Sequence, residues 1–311
     1  MDVKVFVIIV TYNAMKWVDR CFGSLRNSEI PCVPVVVDNM SKDETVNYLR
    51  EHYPEVHIIV NNKNRGFGQA NNQGIEWAYR QGGTNFFLLN QDAWVHPDTL
   101  GKLVDIQNQH DIALVSPIHL NGPGDKMDWG YFTKIIVDET HLDYLSDLEL
   151  GKTKPFYPVF KINAAAWMLS RRCVEQIGGF DPIYFHYGED GNYCQRIKYH
   201  KEQVVFVPGA YMHHDRIING DMKVYKKNEV VMVLLYLYTD VNRRPFGNMF
   251  GQIKLHLWLM KRALIALVKF RFVDFWNIIQ GYLSFFGKIP QMHKSMSNNK
   301  KRQPSWLDLN N

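Results

Sequence analysis

Residues 3–13 read VKVFVIIVTYN, and how the run at 3–10 is read decides the fold. Its β-branched residues continue without regular polar alternation. That suits a strand buried on both faces of a parallel sheet better than one half exposed to water. The run stops at Thr11-Tyr12-Asn13, and residues 14–25 take helical spacing. The order then repeats. A strand at 33–37 ends at Asp38-Asn39 and precedes a helix through about Arg50. A strand at 56–60 leads through NNKNRGFGQANNQG into a helix through about Arg80. A strand at 85–89 ends at Asn90-Gln91-Asp92. Ser41 with Glu44 three residues on fits a capping box, although Asp43 also suits the cap. Alternating strands and helices imply right-handed crossovers and a doubly wound sheet, in which ligands bind beyond the carboxyl ends of the strands. Polar residues collect at those ends here.

After about Asp111 the pattern loosens. A strand near 113–116 precedes NGPGDKMDWG and an irregular stretch to Pro158. INAAAWMLS, a helix at RRCVEQIGGF, the segment YGEDGNYCQR and a strand at VVFVPG follow. These are expected to form the second half of one catalytic unit with mixed strands. No internal repeat of 20 to 50 residues is visible.

The 311 residues, 46% apolar and 22% charged, form an ordinary globular composition. The net charge of +5 comes from the tail: residues 240–311 hold 12 Lys/Arg against three Asp/Glu. Four cysteines without CxxC spacing, and an N-terminus without a secretory signal pattern, point to a reducing, cytoplasmic setting. No uninterrupted apolar run reaches the roughly 18 residues of a spanning helix.

Several residues carry candidate chemistry. Asp38 follows an apolar strand, where a carboxylate can accept from a base N–H or ribose hydroxyl, with a turn cap as the competing role. The two glycines flanking Phe67 in NRGFGQANNQG allow the close backbone approach of a phosphate-cradling loop, with a plain turn as the competing role, but the pattern is neither GxGxxG nor GxxxxGK[ST]. Asp92 can bind a divalent cation that also holds diphosphate oxygens, with a turn Asp as the competing role. Asp98, after Pro97, reads as a helix cap. His213 and His214 sit next to each other in a strand and point to opposite faces, so at most one reaches a shared metal.

In order, VIIVTYNA, VVVDNMSKDET, NRGFGQANNQGI, LLNQDAWVHP and GGFDPIYFHYGEDGNYCQR followed by VPGAYMHH resemble a family-2 glycosyltransferase of GT-A fold over about residues 3–245. The NRGFGQANN form is most similar to the rhamnosyltransferase-like branch that builds bacterial surface polysaccharides. The resemblance implies an α/β catalytic domain at 1–245, with a Rossmann-like nucleotide-sugar half at 1–110 and an acceptor half at 111–245. It implies Thr11, Tyr12, Asn13, Asp38, Arg65, Gly66, Phe67, Gly68 and Asn71 around the nucleotide sugar. Asp190 is implied as catalytic base and Glu189 as acceptor contact. Asp92 and His214, or His213 if the strand is shifted by one, would hold Mg²⁺ or Mn²⁺. The donor would be dTDP-rhamnose or a UDP-hexose and the acceptor a glycan or lipid-linked hydroxyl. Two departures stand out: Asn90-Gln91-Asp92 keeps one carboxylate of a DXD-type motif, and Asn192 replaces a carboxylate common after Glu-Asp.

Residues 246–311 read as a basic region of amphipathic helices with interfacial aromatics, suited to the inner face of the plasma membrane or to a homodimer interface. The last 18 residues read as a flexible terminus. Because the basic residues are interleaved with apolar stretches and no binding motif accompanies them, nucleic acid is not an expected partner. A catalytically silent nucleotide-sugar-binding or scaffold protein is the competing reading that the reduced metal motif permits.

Overall fold

The computed structural model describes residues 3–135, 140–216, 227–243 and 249–310. Strand β1 (Val5–Thr11) is buried at every position but Val10. Val5, Val7 and Ile9 pack into one apolar layer, Phe6 and Ile8 into the other. This is the period-two geometry of a strand covered on both faces, so the unbroken apolar run and its central place in the sheet share one cause.

From β1 the chain passes through α1 (Val18–Arg26), β2 (Cys32–Asp38), α2 (Thr45–His52), β3 (His57–Val60), α3 (Phe67–Arg80) and β4 (Asn85–Asn90). Next come β5 (Ala93–Val95), α4 (Thr99–His110), β6 (Leu114–Asn121), α5 (Trp129–Ile135), α6 (Thr140–Glu149), β7 (Tyr157–Pro158) and β8 (Ala166–Ser170). The series ends with α7 (Arg171–Gln176), α8 (Glu189–Tyr199) and β9 (Val204–His214). The strands form one mixed sheet in the order β3-β2-β1-β4-β8-β6-β9-β5, with β7 beside β9. β1 runs parallel to β2 on one side and β4 on the other, and β2 runs parallel to β3. β8 is antiparallel to both β4 and β6. The strand order therefore reverses between β1 and β4, which places a crevice at their carboxyl ends, beside Thr11 and Asn90.

The chain divides into two units, residues 1–216 with 302–311, and residues 217–301. The boundary expected at 245/246 thus falls earlier, because α9 (Lys227–Tyr238) packs with α11 (Phe272–Phe286) in the second unit. That unit also holds α10 (Met249–Val268) and α12 (Ile289–Asn299). The expected flexible terminus is also corrected. Ser305 O accepts from Gly179 N, Asp308 N donates to Glu76, and Leu307 and Leu309 join the apolar layer of Phe6 and Ile8. Gly178, at φ +85°, lies so close to the Ser305 backbone that no side chain fits between them.

Two expected caps are corrected as well. Ser41 turns back to Asp38, Glu44 makes no capping bond, and Asp43 accepts from Thr45 N instead. Asp98 forms no side-chain cap and pairs with Lys102 at 2.6 Å. All four cysteines are free.

Candidate active site

The crevice is organised by buried side chains that tie its loops together. Asp38, 1% exposed, accepts from Thr11 Oγ1 at 2.8 Å, Ser41 N at 2.8 Å and Ser41 Oγ at 2.5 Å. A carboxylate has about four acceptor positions, so one remains beyond these three. Asn13, in the left-handed region at φ 51°, accepts from Lys42 N through Oδ1 and donates its own N–H to Ser41 Oγ. The loops after β1 and β2 are thereby held edge to edge. Asp43 adds bonds from Met15 N and Thr45. Burial alone would raise its pKa, but these hydrogen bonds outweigh it and hold the carboxyl below its ordinary value.

Tyr12 stands 43% exposed, while its backbone pairs both ways with the Gln91 amide: Tyr12 N donates to Oε1 at 2.7 Å, and Nε2 donates to Tyr12 O. Gln91 is the middle residue of the DXD-type motif, and this pairing shows its use. It fixes the β1 loop against the end of β4. Sequence reasoning missed that role, and it missed Asn39. Asn39 accepts from Arg65 N and Asn61 Nδ2 and donates to Gly66 O, closing the 61–66 loop onto β2.

Gly66 is the residue before α3 and has φ 81° and ψ 170°. A Cβ there would lie 2.1 Å from Phe185 O, and one at Gly68 would lie 2.8 Å from Phe180 Cβ. At both glycines the space that a side chain would need is filled by a residue of the 180–185 segment. Phe67 lies edge-on to Phe180, and the Asn71 amide bonds back to Phe67 O within the helix. Arg65 is half-buried and its Nε has no hydrogen-bond partner, which leaves a cation at the loop with donor capacity unused.

Asn72, which sequence reasoning also overlooked, clamps Phe180 from both sides: Oδ1 accepts from Phe180 N at 2.7 Å and Nδ2 donates to Phe180 O at 2.8 Å. From α8, Tyr193 donates to Gly178 O, and the buried Arg196 donates to Gly179 O and Ile177 O. Burial lowers the Arg196 pKa below the usual arginine range. One turn, Gly178–Phe180, thus joins the helix behind the 61–66 loop to the helix carrying Glu189 and Asp190. Those two carboxylates open α8 behind Tyr187 and Gly188, both at positive φ. Glu189 is buried, and Asp190 is half-buried with Oδ1 accepting from Gly191 N. Asn192 is fully buried and neither polar atom of its amide has a hydrogen-bond partner.

Across the crevice, β5 pairs with β9 so that Ala93 faces His214 and Trp94 faces His213. His214 Nε2 lies 3.4 Å from Asp92 Oδ1. His213 turns to the opposite face, where its Nε2 meets His96 Nε2 at 2.9 Å. His214, and not His213, therefore stands against Asp92. The far side of the His214 ring faces Asp128, with Nδ1 3.7 Å from Oδ2, and both side chains are about 97% buried or more. Asp128 was missed; its other oxygen accepts from Tyr131 N at the start of α5. His214 Nδ1 has no hydrogen-bond partner.

Among the described residues no group of three or more His, Cys, Asp or Glu could hold a metal on its own. The Asp92–His214 pair still fits a cation that takes its remaining ligands from substrate phosphate and water, since two ligands at about 2.0–2.2 Å from one ion lie roughly 3 Å apart.

The model for "Glycosyl transferase family 2" matches residues 6–177, more than half of the chain. The chain belongs to this family. It is 24% identical over 215 residues to the dTDP-rhamnosyl transferase RfbF of Shigella flexneri, covering 69% of this chain and 70% of the relative. Over 230 residues it is 24% identical to an N-acetylglucosaminyl-diphospho-decaprenol L-rhamnosyltransferase of Mycobacterium tuberculosis, covering 67% and 75%. The fold is shared with S. aureus TarS 1–349 in complex with UDP, at TM-score 0.54 and 13% identity over 96% of this chain and 89% of that one. It is shared too with GalNAc-T7 solved with UDP, GalNAc and Mn²⁺, at TM-score 0.56 and 17% identity over 79% and 51%. The chain is a glycosyltransferase of GT-A architecture, a fold family that typically uses a divalent cation.

Proposed function

We propose that this glycosyltransferase moves a rhamnosyl or hexosyl group, with inversion, from dTDP-rhamnose or a UDP-hexose to a hydroxyl of a glycan or lipid-linked acceptor in surface-polysaccharide synthesis. The observation that carries the reading is the meeting of Asp92 and His214 across the crevice, with Asp128 behind the imidazole. The names of the Shigella and Mycobacterium relatives support the sugar and the lipid-linked acceptor.

In this reading Thr11, Tyr12, Asn13 and Asp38 border the nucleotide, and Arg65 turns its free donor capacity toward the diphosphate. Gly66, Phe67, Gly68 and Asn71 shape the wall beside the donor sugar. Asp92 and His214 would hold Mg²⁺ or Mn²⁺, which when bound neutralises charge gathering on the departing diphosphate. Asp128 orients His214 by facing Nδ1, which leaves the Nε2 lone pair toward Asp92. Asp190 accepts the acceptor O–H proton as that oxygen bonds to the anomeric carbon and the carbon–phosphate oxygen bond breaks. Glu189 contacts the acceptor.

Asp190→Asn should lower transfer about 10²- to 10⁴-fold while nucleotide binding persists. Near-normal turnover would remove Asp190 from the mechanism. Chelation should abolish turnover and Mn²⁺ or Mg²⁺ restore it. Full activity in chelator would remove the cation. No helix among the described residues is long and apolar enough to cross a membrane. We place the enzyme in the cytoplasm, at the inner face of the plasma membrane.

A further inference from the structure

The second unit presents an unusual surface. In α10 the buried positions Leu259, Ala263 and Ala266 follow helical spacing and form its inner face. The opposite face runs Leu257, Lys261, Leu264, Val268, with the three apolar residues 59–68% exposed. α11 repeats this. Asp274, Ile278, Gly281 and Phe285 are buried, while Trp276 and Leu283 are more than half exposed. His256 binds the bundle together, bonding Tyr238 of α9 through Nε2 and Tyr282 of α11 through Nδ1. The outward faces are therefore apolar although the inward faces are already satisfied. Basic residues are interleaved along them: residues 249–286 hold five Lys/Arg and one Asp.

The turn joining α10 to α11 concentrates this character. Arg271 N donates to Ala266 O at 2.7 Å and Phe270 N to Leu267 O at 3.1 Å, the two bonds of a Schellman cap. The left-handed position of such a cap favours glycine, because any Cβ crowds the backbone there. Here it is Phe270, at φ 55° and 78% exposed. Phe272 and Val273 beside it are 58% and 71% exposed, and Lys269 is exposed between them and the helix end. The Phe270 ring meets Phe272 edge-on at 6.1 Å but keeps most of its surface in water, in a backbone conformation that glycine would adopt with less strain.

We propose that the α10–α11 turn inserts Phe270, Phe272 and Val273 into the interface of an anionic bilayer, with Lys269, Lys261 and Arg262 meeting lipid phosphate. Apolar groups flanked by cations match the two layers of such an interface, and the excess of basic over acidic residues selects anionic lipid over a second copy of the same surface, which would repel itself. The proposal rests on the transferase reading only for its use: a lipid-linked acceptor is delivered where the enzyme is held.

The test is co-sedimentation of the full chain with phosphatidylcholine vesicles, with and without phosphatidylglycerol, for wild type, Phe270→Gly and Lys269→Glu. The wild type should pellet with the anionic vesicles and less so as salt rises. Phe270→Gly should keep or raise the Tm while lowering partitioning about tenfold or more, as expected when one aromatic no longer leaves water. Lys269→Glu should weaken binding to anionic vesicles alone. If the wild type stays in the supernatant with both vesicles, or Phe270→Gly partitions as wild type does, the proposal fails. It fails in favour of a homodimer if Phe270→Gly dissociates a dimer that binds neither vesicle. Sugar-nucleotide hydrolysis measured without vesicles should be unchanged in Phe270→Gly; its absence in wild type would overturn the transferase reading and leave the vesicle result standing.

Discussion

Replacing Gly66 by alanine tests whether the 61–66 loop and the helix carrying the proposed base Asp190 are mechanically one piece. Two costs act at Gly66. The first is conformational: φ 81° with ψ 170° is a region nearly confined to glycine and costs roughly 1–3 kcal/mol for another residue. The second is contact: the new Cβ would sit 2.1 Å from Phe185 O, so that carbonyl must retreat by about 0.9 Å to reach even 3.0 Å. Phe185 leads directly into Tyr187-Gly188 and the carboxylates that open α8, so the retreat is passed to Asp190. A misplacement of about 1 Å at reacting groups can cost on the order of 10²-fold in rate. Gly82 supplies the control, since it has the same φ of +81° with nothing within 4 Å of its would-be Cβ. Thermal unfolding and kcat at saturating donor and acceptor should therefore separate the two variants. Gly82→Ala loses some stability and keeps its turnover, whereas Gly66→Ala loses both. Turnover in Gly66→Ala equal to that in Gly82→Ala would refute the coupling through Phe185.

Asp128→Asn keeps an amide oxygen to cap α5 but removes the charge facing His214. Mn²⁺ affinity in the presence of nucleoside diphosphate, read by electron paramagnetic resonance, should fall about 10- to 100-fold with little change in Tm. Unchanged affinity would make Asp128 only a cap. Asn72→Leu strands the N–H and C=O of Phe180, at roughly 1–3 kcal/mol for each buried group left unpaired, and urea denaturation should show it; a loss below the lower bound would mean that Tyr193, Arg196 and Ser305 hold the turn without Asn72. Asp43 has a folded pKa below its unfolded value of about 3.9, so its stabilising contribution is complete above that value and lost as pH falls through the folded pKa. The acid limb of a stability–pH curve should flatten in Asp43→Asn, and an identical limb would exclude it.

Much of the sheet was legible because its cause is local. A strand covered on both faces must be apolar at consecutive positions, and 3–10, 33–37 and 85–89 announce themselves in that way. The positions of Asp38 and Asp92 just past strands were legible for the same reason, whereas Asp190 was named through the family resemblance. The supporting residues were not. Asp128 lies in an irregular Gly/Pro/Asp stretch with no period to read, and its partner His214 comes from a different strand. Gln91 and Asn72 look like ordinary polar residues until the chain brings Tyr12 and Phe180 to them. The caps at Ser41 and Asp98 failed because stronger local partners, Asp38 and Lys102, compete for the same side chains. The glycines at 66 and 68 are plain in the sequence, but what fills the space beside them, Phe185 O and the Phe180 side chain, comes from more than 100 residues away.

The return of residues 302–310 to the catalytic unit also bears on the order in which the molecule is made. Ribosomes release chain from the N-terminus onward at about 5–20 residues per second, and domains usually fold as they emerge. Here Glu76, Arg80 and the Gly178–Gly179 turn are exposed to the cell early, yet their partners at Asp308 and Ser305 are synthesised only after all of residues 217–301. For several seconds the nascent enzyme has its sheet but not its fastening. A nonsense mutation just short of residue 302 would therefore leave every proposed catalytic side chain encoded while withholding the segment that fastens α3 to the Gly178–Gly179 turn.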